Sequence, residues 1–166
     1  MAQALFVTTK DIAQFTALNG NVDVDKFMQF IKIAQDIHIQ NYLGTDLFDK
    51  INDDIVASTL AGNYLTLVNT YIKPMVIHWA MVEYLPFSAY TIANKGVYKH
   101  SAENSETVDK GEVDFLISKE TKIAEHYTTR FIDFICYNNS DYPEYNSNSN
   151  DGMYPDRDVN FTNWFL

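Results

Sequence analysis

Apolar residues recur at helical spacing along most of this chain. From Val24 to Leu43, Phe27, Phe30, Ile31, Ala34 and Ile37 hold one side, while Asp25, Gln29, Lys32, Asp36 and Gln40 recur at steps of three and four on the other. That pattern predicts a long amphipathic helix with a broad apolar face. Gly44 suits the left-handed position that ends it, and Thr45 suits the N-cap of the next helix, with Asp46 in that helix's first turn at the positive end of the dipole. In this second helix Leu47, Phe48, Ile51 and Ile55 share a face, and Asp46, Asp49 and Asp53 share the opposite one. A calcium loop needs alternating ligands around a central glycine, and "DKINDD" has neither, so the aspartates read as a solvated acidic face.

The flanking segments extend the helical pattern. In "TTKDIAQFT", Thr8 stands three residues before Asp11 at capping-box spacing, which predicts a short first helix. "NGN" at 19–21 breaks it, and Asp23 suits the N-cap of the long helix. From Asn63 to about Ala93 the chain is apolar on nearly all sides, as expected of the buried centre of a bundle. Pro74 lacks an N–H and predicts a kink or break, with a second irregularity near Pro86. Residues 94–111 are polar and glycine-punctuated and read as a long loop carrying Lys95, Lys99, His100 and Lys110.

A last helix is predicted from about Glu112 to Tyr137, with Leu116, Ile123, Ala124, Tyr127, Phe131, Phe134 and Ile135 as its apolar stripe and His126 on its polar face. After Asn138 the composition turns to Asn, Ser, Asp, Tyr and Pro, which cannot build a core of its own. Yet the chain finishes in Phe161, Trp164, Phe165 and Leu166. Two readings of that end stay open: it folds back onto its own bundle, or it reaches a neighbouring subunit as an aromatic anchor. The fold class is therefore all-α, a bundle of about four to five helices over residues 1–137 with an extended tail over 138–166.

Composition refines this picture. The 166 residues make one domain's worth of chain, enough to bury roughly two-thirds of the unfolded surface without disulfides or metals. Net charge is −10, from 12 Lys+Arg against 22 Asp+Glu, which argues against a protein that grips nucleic-acid phosphates. The 11 Tyr and 11 Phe suggest a bulky core together with some aromatic surface kept for a partner. Cys136 is the single cysteine, and within the apolar run "RFIDFICY" it reads as a buried, inert thiol. "MAQALFVTTK" lacks a basic n-region, and no apolar stretch reaches membrane-spanning length, so the expected product is cytosolic with no membrane partner.

Catalytic motifs are missing from the sequence: there is no dinucleotide-binding or phosphate-binding glycine loop, no nucleophile elbow and no paired-cysteine motif. His38 and His78 fall in apolar surroundings and read as hydrogen-bonded core histidines. Neither shows the Glu-x-x-His spacing of a di-iron bundle, and "HWAMVE" is not a zinc-hydrolase motif. No catalytic residue, metal or cofactor is therefore expected. The runner-up is a helical-bundle metal protein or enzyme using His38 and His78 with a core carboxylate such as Glu83. A monomeric helical adaptor that binds a peptide through its aromatic surface is a third reading.

Several stretches carry a resemblance. The order of a short leading helix, "NGNVDVDKFMQFIKIAQDIHIQNYLGTDLFDKI", a proline-bearing central helix, "IANKGVYKHSAENSE", a long amphipathic helix and "YPEYN" resembles the helical head-to-tail connector proteins of tailed bacteriophages, especially those of crAss-like phages. The likeness spans the chain to about Asn146, and "AQDIHIQNYLGTDLF" and "NKGVYKHSAENSE" are its most specific parts. It implies a small all-α subunit of a homo-oligomeric ring, about a dozen copies, beneath the portal. Its partners would be the portal protein and the adjacent connector and tail rings. DNA would pass through the channel without specific binding, repelled by acidic residues facing the lumen within a Debye length of roughly 8 Å. On this reading Phe161, Trp164, Phe165 and Leu166 contribute to subunit contacts, and Lys95, Lys99, His100 and Lys110 meet a partner ring.

Overall fold

The computed structural model describes residues 3–16, 18, 24–88, 90–93, 96–99, 109–149 and 151–158, with backbone alone at 9, 24–26, 91–93 and 96–99. The architecture is an all-α bundle. Its elements are α1 (Thr9–Phe15), α2 (Val24–Ala34), a π turn (Gln35–Ile39), α3 (Gln40–Leu43), α4 (Thr45–Val56), α5 (Gly62–Leu67), a second π turn (Val68–Ile72), α6 (Lys73–Ser88), a hairpin of β1 (Tyr90–Ala93) and β2 (Gly96–Lys99), and α7 (Lys110–Tyr137). Two 3-10 turns, Asn139–Asp141 and Pro143–Asn146, follow α7. Among the described residues no helix is long and apolar enough to cross a membrane.

Local chemistry explains the helix ends. The Thr8 hydroxyl accepts from the Asp11 amide and the Asp11 carboxylate accepts from the Thr8 amide, so the expected capping box opens α1. A second box, Asp109 with Glu112, opens α7 two residues ahead of the expected start and shortens the 94–111 segment. The expected cap Asp23 lies outside the described residues. The central helix ends at Ser88 rather than near Ala93, because Tyr90–Ala93 pairs antiparallel with Gly96–Lys99 in register Tyr90↔Lys99. The tyrosines and β-branched residues of "YTIA" and "GVYK" favour the pleated state.

Both π turns have identifiable causes. Pro74 cannot donate to the carbonyl four residues earlier, and the helix widens one turn ahead of it, where the Lys73 amide donates to Val68 O instead. The helix does not break there, and it continues through Pro86 to Ser88. The first π turn rotates everything beyond Ala34 relative to an ideal helix. Ile37, expected on the apolar face, is consequently 58% exposed, whereas Gln35 is fully buried. Gln35 uses that position well: its side chain accepts from the Phe6 amide at 2.7 Å and donates to Ala4 O at 3.0 Å. Asn52 Oδ1 takes the Ala4 amide at 2.8 Å, so two buried amide side chains hold the N-terminal segment and seat the Phe6 ring on Phe48.

At the centre stands α6, apolar all round as its sequence predicted, with α2 and α7 packed against it. Met75, Val76, Ile77, Trp79, Ala80 and Met81 are buried there. From α7 the core takes Ala124, Phe131, Ile132 and Ile135, together with Thr128, whose hydroxyl accepts from the Trp79 indole at 3.0 Å. Leu116 and Ile123, expected in the stripe, are exposed instead: Leu116 lies in the early turns of α7, toward the half-exposed end of α6, and Ile123 falls about 100° before the buried Ala124, off the side that α6 covers. Cys136 is also exposed, contrary to expectation. The core side is set by Phe131, Ile132 and Ile135, and Cys136 falls about 100° past Ile135 in the final turn.

The polar segment after Asn138 is not free of the bundle. Tyr142 and Tyr145 are buried in the common core, and the Tyr142 hydroxyl donates to Asn63 O at 3.2 Å. The Tyr64 hydroxyl donates to Glu144 at 2.5 Å; burial first, then this carboxylate, raise its pKa.

Candidate functional site

The residues singled out from sequence for partner contact fall mostly beyond what the structure describes. Phe161, Trp164, Phe165, Leu166, Lys95 and His100 lie outside the described residues. Lys99 ends β2, paired through its backbone register with Tyr90. Lys110 is exposed at the first position of α7 rather than in a loop. Along the same helix Phe115, Leu116, Lys119, Lys122, Ile123 and Arg130 are all exposed, an apolar and basic stripe on an otherwise acidic chain.

The most built polar site lies at the turn between α3 and α4, within the "LGTD" of the helix-turn-helix stretch. A helix break leaves orphan carbonyls on one side and orphan amides on the other. Here Gly44, at φ +74°, makes the break, and the C-terminal segment gives one orphan group of each kind a partner. Met153 O accepts from the Thr45 amide at 2.9 Å, the Thr45 hydroxyl accepts from the Met153 amide at 2.8 Å, and Asn41 O accepts from the Asp156 amide at 2.8 Å. Asp46 takes the Ser147 hydroxyl at 2.7 Å and the Ser149 amide at 2.9 Å. Thr45 is therefore not the N-cap; that position belongs to Gly44, and Thr45 holds the returning chain. Asp46, expected to face water, does the same.

Two glycines make the approach close enough. A Cβ on Gly44 would lie 2.8 Å from Pro155 Cδ, and one on Gly152 would lie 2.5 Å from the Thr45 Cβ. Further along, the Arg157 guanidinium donates to Tyr145 O and Asn146 Oδ1 at 2.8 and 3.1 Å and lies 4.6 Å from the Tyr145 ring centroid. Local periodicity could not reveal this docking strap. Its only trace in sequence is a glycine-centred turn in one place and a donor-rich "NSNSNDG" a hundred residues later.

Electrostatics sets its pH response. Hydrogen bonds from Ser147 and then Ser149 hold the Asp46 carboxyl below its ordinary value of 3.8. A depressed carboxylate contributes docking free energy that is complete above the unfolded pKa and is lost as pH falls through the folded one. Strap docking is therefore expected to survive from neutral pH to about pH 4 and to weaken below it. Hydrogen exchange at the Ser149 and Met153 amides should report this, and the Asp46→Asn variant should show faster exchange at neutral pH with a smaller acid response. Neighbouring Asp49 behaves oppositely, its pKa raised by partial burial and then by Asp53 and Asp46. Tyr42, two residues before Gly44, is pushed up to about 12 by burial and then by Asp156 and Glu125.

The histidines weighed as metal ligands are engaged separately. His38 Nε2 lies 2.8 Å from Glu83 Oε1, and its ring stacks on Trp79 at 4.0 Å and 11°. His78 Nδ1 lies 2.5 Å from Glu120 Oε1, and its ring stacks on Tyr127 at 5.1 Å and 7°. The structure thus brings Glu83 to His38 but not to His78, and the two pairs fasten α6 to the first π turn on one side and to α7 on the other. Each imidazole is half-buried and hydrogen-bonded. Among the described residues no group of three or more His, Cys, Asp or Glu side chains is placed to hold a metal ion.

A family model described as a family of unknown function (DUF6712) matches residues 39–152. The matched span runs from the end of the first π turn to Gly152, and so includes the α3–α4 turn and much of the segment docked on it. Comparison with curated proteins and with solved structures finds no match.

Proposed function

The chain belongs to the DUF6712 family, and we propose that it is a structural subunit of a tailed-bacteriophage virion, forming a ring of about a dozen copies in the head-to-tail connector below the portal. The ring extends the DNA channel and joins capsid to tail, without catalysis. The resemblance of the ordered segments to phage connectors motivates this reading. The observation that carries it is the stripe on α7: Phe115, Leu116 and Ile123 are large apolar side chains that the fold leaves uncovered. A closed ring requires heterologous contacts, and open apolar surface beside Lys119, Lys122 and Arg130 is suited to meeting an acidic neighbour. The net charge of −10 fits a channel that lets DNA slide.

Native mass spectrometry over a range of concentrations tests the proposal. A closed oligomer near twelve copies, free of metal, is the expected result. The same measurement on a chain ending at residue 158 should show the helical circular dichroism retained and assembly weakened, because the aromatic end contributes to subunit contacts. A full-length chain that stays monomeric at every concentration, or carries one metal per monomer, overturns the reading.

A further inference from the structure

We infer that the C-terminal strap, residues 147–158, is an exchangeable arm whose acceptor site at the α3–α4 turn is filled in the assembled protein by the strap of a second copy. The inference deepens the ring reading and rests on it.

The strap and the preceding segment are held by different physics. Up to Asn146 the chain is anchored by apolar burial, with Tyr142 and Tyr145 in the common core. Beyond it the strap is held by hydrogen bonds to Asn41, Thr45 and Asp46 and by Arg157, and among its described residues only Pro155 is buried as a whole. Its bulky apolar side chains point away from the bundle, Met153 being 41% and Tyr154 66% exposed. A segment docked through polar contacts, with little apolar area at stake, opens at far lower cost than the core beneath it.

The turn that folds the strap back carries two costs that the docking itself does not need. Asp151 sits at φ +51°, in the left-handed region. Asn148 donates its amide to Gly152 O at 2.7 Å, which closes the turn, but its own Oδ1 is buried without a hydrogen-bond partner. Both costs belong to the reversal of the chain. If residues 147–151 run outward and residues 152–158 enter a neighbour's α3–α4 turn, the contacts of Met153, Asp156 and Arg157 are reproduced there, and the reversal is removed together with the Asn148–Gly152 and Ser149–Asp46 bonds that belong to it. The acceptor is shaped for this one occupant, since Gly44 and Gly152 leave no room for a side chain between strap and turn. Exchange also carries the chain's aromatic end onto the neighbour and turns a polar docking contact into a head-to-tail link that closes only with the ring.

The test uses two full-length chains, Asn41→Cys and Asp156→Cys, each also carrying Cys136→Ser. The Asp156 amide bonds to Asn41 O, so the two positions come within disulfide reach across the docking site. The chains are purified separately, mixed, allowed to assemble and oxidised, and then run without reductant. A disulfide-linked pair joining one chain of each kind is expected, and a chain carrying both cysteines should give a ladder of linked chains. A doubly substituted chain that closes its disulfide within the monomer, with no mixed pair, overturns exchange whatever the oligomeric state. Native mass spectrometry of the same samples separates the two ideas: a ring with only internal disulfides defeats exchange but keeps the ring, and a linked dimer that never closes keeps exchange but defeats the ring. Deleting residues 149–151 provides a second check, because a strap too short to fold back should increase the mixed pair, and its decrease counts against the inference.

Discussion

Replacing Trp79 by alanine is expected to lower the free energy of unfolding by about 3–5 kcal/mol, among the largest losses available from a single side chain in this protein. The indole sits where three elements meet. Its Nε1 donates to Thr128 on α7, one face stacks on His38 in the first π turn, and its own helix is the apolar centre of the bundle. Truncation opens a cavity the size of an indole and leaves the His38 ring without its stacking surface. Thr128 separates packing from hydrogen bonding: Thr128→Val keeps the volume but leaves the indole N–H buried and unpaired, a loss of about 1–3 kcal/mol. Urea denaturation of the three proteins measures both. An unchanged slope with a lower midpoint supports the account, and a loss below about 1 kcal/mol for Trp79→Ala contradicts it.

Tyr145 should show a contrast between two substitutions at one site. Its ring is fully buried, packs edge-on against Phe131 at 6.2 Å and carries the Arg157 guanidinium on its face. Tyr145→Ala is expected to cost about 3–5 kcal/mol and to loosen the strap as well, since Arg157 loses its platform. The hydroxyl is another matter. It is buried with no hydrogen bond of good geometry, and burial, with the nearby Cys136 sulfur, pushes its pKa up. Removing an unsatisfied polar atom removes only its desolvation penalty, so Tyr145→Phe should be neutral or slightly stabilising. Thermal unfolding should separate the variants by on the order of 10 °C for a domain of this size. Equal losses for both would show that the hydroxyl has a partner after all.

The elements themselves were readable along the chain because local forces decide them. Thr8 and Asp11 cap a helix wherever they stand at that spacing, Gly44 takes a left-handed turn where few other residues do, and Leu47, Phe48 and Ile51 define a face by repetition. α6 was recognisable as the centre because no side of it is polar. Pro74 announced an irregularity through its missing N–H, although only the three-dimensional helix reveals that the result is a π turn rather than a break.

Errors arose wherever a side chain's surroundings come from elsewhere in the chain. Ile37 left the apolar face because one wide turn rotates all that follows it, and Gln35, buried there instead, is hydrogen-bonded by peptide groups of a segment about thirty residues earlier. Leu116 and Ile123 belong to an unbroken apolar pattern, but a pattern states which face is apolar and not whether a neighbour covers it. Thr45 and Asp46 read as a cap and a solvated charge because local rules supply those roles, and a segment a hundred residues away displaced them.

Residue order alone thus settled the all-α class, the helix faces, the central position of α6 and the glycine break after α3, since each depends on interactions within a turn or two. The pairing of His38 with Glu83 and His78 with Glu120, the return of the strap to the α3–α4 turn and the bare stripe on α7 came from the folded chain. Those features depend on distances between segments far apart in sequence, and such distances exist only once the hydrophobic core has brought the segments together.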